Sequence, residues 1–204
     1  MLRKLPIVGV FGAGTPLPAE RAQLARSVGA MVAGLGAHLL TGGGYGVMAA
    51  AAEGFVAVPD RPGFSIGIVP RAPDGPLDEP NRDSDGRRYP NPFVEIAVHT
   101  PLPPRVRNWR NEPARNHVNV FSVDAIIALP GGAGTSNELD MAVEYRDERN
   151  RPRTERRTIL IGPADEFSAD HRDAFVHAGA LADAEAQIRR VLAARGIIID
   201  GSSP

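Results

Sequence analysis

The stretch DAIIALPGGAGTSNELDMAVEY, residues 124–145, decides how this chain folds. AIIAL is a short, continuous apolar run that stops at Pro130, the pattern of a strand buried on both faces. NELDMAVEY reads as the helix that follows. Between them lie Gly131, Gly132, Gly134 and Thr135, with Glu138 four residues beyond the last glycine. Two readings of this turn stand side by side. In one, the glycines make a tight bend and Thr135-x-x-Glu138 is a capping box, with the glutamate folded back on a backbone amide. In the other, the amides of Gly132 to Thr135 wrap a phosphate at the helix N-terminus without a lysine. Glu138 is then a reactive carboxylate beside it.

The same alternation extends outward along the chain. Apolar runs at 7–11, 38–41, 65–69, 93–98, 124–129 and 158–162 predict strands, with a weaker one at 174–177. Helical patterns separate them, at 18–35, from about 45 to 53, from the end of PGGAGT to about 148, and from Asp183, as cap, to about 195 with Gly196 beyond. Residues 105–122 read as a broken helical stretch. Strands that alternate with crossover helices predict a Rossmann-like, doubly wound α/β fold. Its sheet is mostly parallel, with helices on both faces, in one domain over residues 1–204. Ligands of such sheets bind beyond the carboxyl ends of the strands, where the glycine turns fall.

Two segments break the pattern. Residues 70–92 hold six prolines and many charges, which excludes a regular element and leaves a long surface loop or lid. Residues 146–157, RDERNRPRTERR, carry six arginines and three acids and read as a solvated connection.

Composition narrows the chemistry. Of 23 basic residues only Lys4 is lysine, and it precedes the first strand. Neither a pyridoxal-phosphate Schiff base nor a P-loop has its lysine here. There is no cysteine, so thiolate nucleophiles and cysteine metal sites are absent, which suits a cytoplasmic protein. A net charge of −1 recruits neither nucleic acid nor an anionic membrane, and no apolar run reaches 18 residues. The histidines at 99, 117, 171 and 177 are scattered, with no metal-ligand spacing.

Two further glycine turns are candidate ligand contacts. GAGTPLP follows the first strand, but Leu17 and Pro18 stand where a dinucleotide fingerprint needs its third glycine. Gly12, Gly14 and Thr15 remain candidates to line a base or sugar. TGGGYGVM places Gly42, Gly43, Gly44 and Gly46 before a helix, as an anion site or as tight strand–helix packing.

GGGYGVM, IGIVP, ARN (114–116) and PGGAGTSNE together resemble the LONELY GUY (LOG) family and its relatives, the molybdenum-cofactor carrier proteins. The resemblance covers roughly residues 6–162, and PGGxGTxxE is its most specific element. It implies a homodimer or higher homo-oligomer that hydrolyses the N-glycosidic bond of nucleoside 5′-monophosphates without metal or cofactor. It makes Arg115 and Glu138 the catalytic pair, and it puts the phosphate on Gly132, Gly134 and Thr135, with Pro130, Gly131 and Asn116 around it. Where LOG enzymes carry a second basic residue after the motif arginine, this chain has Asn116, as the carrier proteins do. The alternative implied is a binding protein for a nucleotide or pterin-like ligand that it does not turn over.

Overall fold

The computed structural model describes residues 4–70, 82–83, 85–144, 157–197 and 199. Seven strands form one sheet: β1 (Ile7–Phe11), β2 (His38–Thr41), β3 (Ser65–Pro70), β4 (Ile96–Thr100), β5 (Ala125–Ala128), β6 (Thr158–Ile161) and β7 (Val176–Ala178). Their spatial order is β4-β3-β2-β1-β5-β6-β7, and every neighbouring pair is parallel. The chain therefore winds one way from β1 to β4 and the other way from β5 to β7. The direction reverses between β1 and β5, the central pair, which register Val8 with Ala125 through Phe11 with Ala128.

The helices are α1 (Ala19–Gly34), α2 (Val47–Val56), α3 (Arg115–Phe121), α4 (Ala133–Glu144), α5 (Ala169–Ala174) and α6 (Leu181–Ala194). Two apolar clusters show how they are layered. Helices α1, α2 and α6 bury Val28, Val32, Ala51, Phe55, Ile188 and Leu192 against one face of the sheet. The other face receives Val120 of α3 with Leu139 and Met141 of α4. The central strands are apolar in both directions because both faces are covered. β4 is an edge strand with Ile96 and Val98 exposed.

Helices α1 and α2 lie unusually close. A Cβ on Gly29 would stand 1.8 Å from the Ala51 carbonyl oxygen, and one on Gly54 would stand 2.0 Å from that of Arg26. Two glycines on facing turns thus let the backbones touch, and the alanine run of α2 continues the seam.

Three expectations from the sequence shift. β4 begins at Ile96 instead of residue 93, because Phe93 packs on the core and Asn91 and Glu95 tie the approach to Gly43 and Ser65. The broken helical stretch 105–122 reduces to α3, preceded by turns. α6 begins at Leu181 with Ala180 at its cap, and the Asp183 carboxylate, inside the first turn, accepts from the Ala180 amide at 3.1 Å. The run 146–156, the end of the helix expected to reach 148, and most of the proline-rich loop fall outside the described residues. No helix among the described residues is long and apolar enough to cross a membrane.

The glycine seam makes a paired prediction. Gly29→Ala should cost about 1–3 kcal/mol of stability by overpacking. Gly34→Ala, where a Cβ meets nothing within 4 Å, should gain up to about 1 kcal/mol. Urea denaturation of the two variants checks the opposite signs.

Candidate functional site

At the carboxyl ends of β1 and β5 the two following turns face each other. The Ala13 amide donates to the Pro130 carbonyl at 3.3 Å, and the Leu129 amide to the Phe11 carbonyl at 2.9 Å. Helix α1 departs to one face of the sheet and α4 to the other, which leaves a crevice at the reversal of strand order. A cavity of about 350 Å³ occupies it. Its walls are the first turn (Gly12 to Thr15), Gly42, the start of α4 (Gly132 to Thr135), and the side chains of Met48, Arg105, Arg115, Asn116 and Glu138.

The turn before α4 has the form of an open cradle. Gly132 and Gly134 have empty space where a Cβ would stand, so the backbone is bare toward the cavity. Gly131 serves the fold in another way. A Cβ there would collide with Thr135 Oγ1 at 2.2 Å and the Ala13 amide at 2.7 Å. Gly131 and Pro130 join the two turns and do not line the cavity.

The helix begins at Ala133, so Thr135 is already in its first turn and Glu138 in its second. The capping-box reading fails on this geometry. Glu138 Oε1 accepts instead from Asn119 Nδ2 of α3, at 2.7 Å. Burial pushes the Glu138 carboxyl up to about 7, against the opposing pull of the Arg115 charge and the Asn119 hydrogen bond.

Arg115 opens α3, and its backbone amide is tied to the Pro103 carbonyl at 2.8 Å. Its guanidinium crosses to the far side of the crevice, where Nη1 donates to the carbonyls of Gly42 (2.6 Å) and Ile68 (3.2 Å). Nε is buried and has no partner. Desolvation lowers the guanidinium pKa from its ordinary value while the Glu138 charge holds it up. Arg115 and Glu138 thus share a wall and attract each other, but the carboxylate's hydrogen bond comes from asparagine.

Asn116 lines the cavity without offering charge to it. Its Nδ2 donates to Asn137 Oδ1 at 3.1 Å and more weakly to the Gly134 carbonyl at 3.4 Å, so it braces the cradle.

The GGGYG turn, read from sequence as either an anion site or tight packing, is closely packed. Of its glycines only Gly42 lines the cavity, and a Cβ there would stand 1.8 Å from Arg115 Nη1. Gly43 has φ +72° and gives its amide to Thr41 Oγ1 at 3.1 Å. A Cβ on Gly44 would meet Met48 and Tyr89, each at 2.7 Å. Gly46, at φ +62°, lets this turn press on the Ala13 carbonyl, which the Val47 amide reaches at 2.8 Å. Gly43, Gly44 and Gly46 therefore do not line the cavity, and their place is in the packing of the turn.

Two groups at the site were not singled out by motif. Asn119 is one helical turn after Arg115, and that i, i+4 spacing toward a buried carboxylate was its only signal. Arg105 comes from the irregular run 101–113 and forms no ion pair among the described residues. No group of three or more histidines and carboxylates among the described residues could hold a metal.

The buried carboxyl has a consequence for stability. With its pKa raised from 4.5 to about 7, folded Glu138 keeps a proton that the unfolded chain releases. Its contribution to stability is full below pH 4.5 and is lost as pH rises to 7. Glu138→Gln should therefore match the wild type at pH 4.5 and exceed it at pH 8, by up to roughly 3 kcal/mol. A capping carboxylate would give the opposite sign; denaturant titrations at the two pH values separate them.

Comparison with known proteins agrees with this architecture. The SLOG cluster4 family model matches residues 5–148. An uncharacterized protein of Archaeoglobus fulgidus is 32% identical over 141 residues, 69% of this chain and 76% of that one. A cytokinin riboside 5′-monophosphate phosphoribohydrolase of Mycobacterium tuberculosis is 32% identical over 134 residues, 65% of this chain; the match spans 59% of the mycobacterial protein. Among solved structures, the molybdenum-cofactor carrier protein of Chlamydomonas reinhardtii superposes with a TM-score of 0.65 at 26% identity, covering 94% of this chain and 99% of that one. The chain thus belongs to the SLOG cluster4 family and is LOG-like.

Proposed function

We propose that this chain hydrolyses the N-glycosidic bond of a nucleoside 5′-monophosphate, releasing free base and ribose 5-phosphate. The observation that carries the reading is one cavity holding three things: a bare helix N-terminus, a buried guanidinium with an unpartnered Nε, and a buried carboxyl. The likeness to a phosphoribohydrolase supports it.

Each part has a role in such a reaction. The phosphate takes the amides of Gly132 to Thr135, where the α4 dipole favours an anion. Arg105 adds a positive charge at the same wall. The ribose then extends across the crevice toward Arg115 and Glu138. As the bond from C1′ to the base nitrogen breaks, the base leaves with the electron pair and takes up a proton. The sugar becomes oxocarbenium-like, and water adds to C1′. Ionised Glu138 stabilises that cation and accepts the proton of the attacking water. Arg115, which lines the cavity, holds sugar hydroxyls or phosphate through its guanidinium.

A second reading rests on Asn116. Its amide braces the cradle where a second cation would otherwise grip the ligand. That arrangement suits a protein that binds a nucleotide or pterin-like phosphate and releases it unchanged, and the fold likeness to a carrier protein supports it.

Purified protein incubated with AMP and with an N6-substituted AMP should release free base, followed by chromatography. The rate should rise with pH through about 7 and level off above it, because the ionised carboxyl is the active form. Glu138→Gln should lower turnover by about 10²-fold or more while nucleotide affinity persists. Tight binding by the wild type with no base released would put the carrier reading in place of the hydrolase.

A further inference from the structure

Buried asparagine side chains in this protein are pinned in two ways. Asn91, 1% exposed, is held at both ends: Nδ2 donates to the Gly44 carbonyl at 2.7 Å and Oδ1 accepts from the Phe93 amide at 3.1 Å. Asn116 has its Nδ2 tied to two acceptors. Asn119 differs. It is also 1% exposed, and its Nδ2 donates to Glu138 Oε1 at 2.7 Å, but its Oδ1 is buried without any hydrogen-bond partner.

This difference has a mechanical meaning. The torsion that turns an asparagine amide is soft and roughly two-fold, and exchanging oxygen for nitrogen hardly changes its shape. A second partner on the amide normally fixes which end points where. At Asn119 only Glu138 does so. An ionised carboxylate accepts only, and so selects the NH₂ end; a protonated carboxyl also offers a donor, which selects the oxygen.

We propose that Asn119 is a positioning residue that follows the proton on Glu138, donating through Nδ2 to the carboxylate and turning its Oδ1 to the acid when Glu138 is protonated. Both protonation states of the carboxyl then keep a hydrogen bond from the same direction. Glu138 can take and give back a proton during turnover without losing its aim into the cavity. The inference rests on the reading of Glu138 as the acid–base group of the site.

Other charges around the pair, Arg105 excepted, are fixed by their own partners. Arg115 of α3 faces Glu138 and stays on the Gly42 and Ile68 carbonyls, with Tyr89 feeling its charge. On α4 itself, Asp140 pairs with His171 of α5 at 2.8 Å, and Glu144 pairs with Arg110. Arg105 lines the cavity from the run 101–113. Among these, Asn119 is the group whose hydrogen bond ends on the Glu138 carboxyl.

The test is an NMR titration of the intact protein. Carboxyl ¹³C signals of labelled glutamate, assigned with Glu138→Gln, follow the proton; the side-chain amide ¹⁵N signal of Asn119 follows the partner. The Asn119 amide should shift with the same midpoint as the Glu138 carboxyl. In Asn119→Leu, close in shape but without donor or acceptor, the Glu138 midpoint should rise by about one to two pH units. The pH profile of kcat should move with it, with KM little changed. An amide signal flat through the Glu138 titration overturns the proposal, and that measurement needs only the wild type. So does an unmoved Glu138 midpoint in a folded Asn119→Leu. Coupled titration without base release from AMP supports the positioning role and removes only the hydrolase. Base release with an uncoupled amide does the reverse.

Discussion

The site depends on one buried cation. The Arg115 guanidinium leaves α3, crosses the crevice and ends on the carbonyls of Gly42, just past β2, and Ile68 in β3. A charge taken out of water is costly unless dipoles or an opposite charge replace its hydration. These carbonyls supply the dipoles, and Glu138 supplies the charge. The arrangement explains why Gly42 must be glycine, since any Cβ would occupy the guanidinium's place. It also explains why α3 starts where it does. The Pro103 carbonyl holds the Arg115 amide and sets the point from which the side chain can span the gap.

From that cation the carboxyl follows. Glu138 is buried deeply enough to hold its proton near neutrality, yet Arg115 and Asn119 both favour the ionised form. The opposition is what an acid–base group near pH 7 requires, and the fold meets it at some expense in stability. The cradle beside it makes fewer demands. Gly132 and Gly134 need only omit side chains, and Gly131 and Gly46 let neighbouring turns touch at the cavity wall.

Much of this was legible in the sequence, and the unread part has a common cause. The central strands could be read because burial on both faces leaves an unbroken apolar run, as in AIIAL. Arg115, Glu138 and the α4 cradle could be read because one motif with fixed spacing carries them. The GGGYG turn stayed ambiguous because glycine is silent about its reason. Close approach to Ala13, positive φ at Gly43, room for Arg115 at Gly42 and an open phosphate wall all leave the same letter. The capping box stayed open as a competing reading because Thr-x-x-Glu fits a helix start only if the helix begins at the threonine, and α4 begins two residues earlier. Asn119 was hard to read because its partner is 19 positions away, and its spacing from Arg115 does not say what it faces. At the sheet edge, Phe93 looks like the start of a strand, but its burial against the core and the bonds around Asn91 delay β4 to Ile96.

Binding and hydrolysis place different demands on the same crevice. Holding a phosphate needs only the bare turn, the α4 dipole and a nearby cation; a carboxylate beside the anion works against it. A carrier gains nothing from keeping Glu138 buried, opposed by desolvation and stabilised by two neighbours on α3. The electrostatic work invested in that carboxyl is intelligible if charge develops on the ligand where the carboxyl points, as it does on the sugar when a base leaves. Asn116 pulls the other way, since it gives up a cation to stiffen the turn. Stiffness is itself useful to a reaction that passes through a cation, because a rigid cradle fixes the ribose relative to Glu138 instead of only attracting its phosphate. Under the proposed hydrolysis the weaker grip and the stronger chemistry are therefore compatible within one site: lower affinity for a phosphate, and a better-held distance between the carboxyl and the reacting carbon.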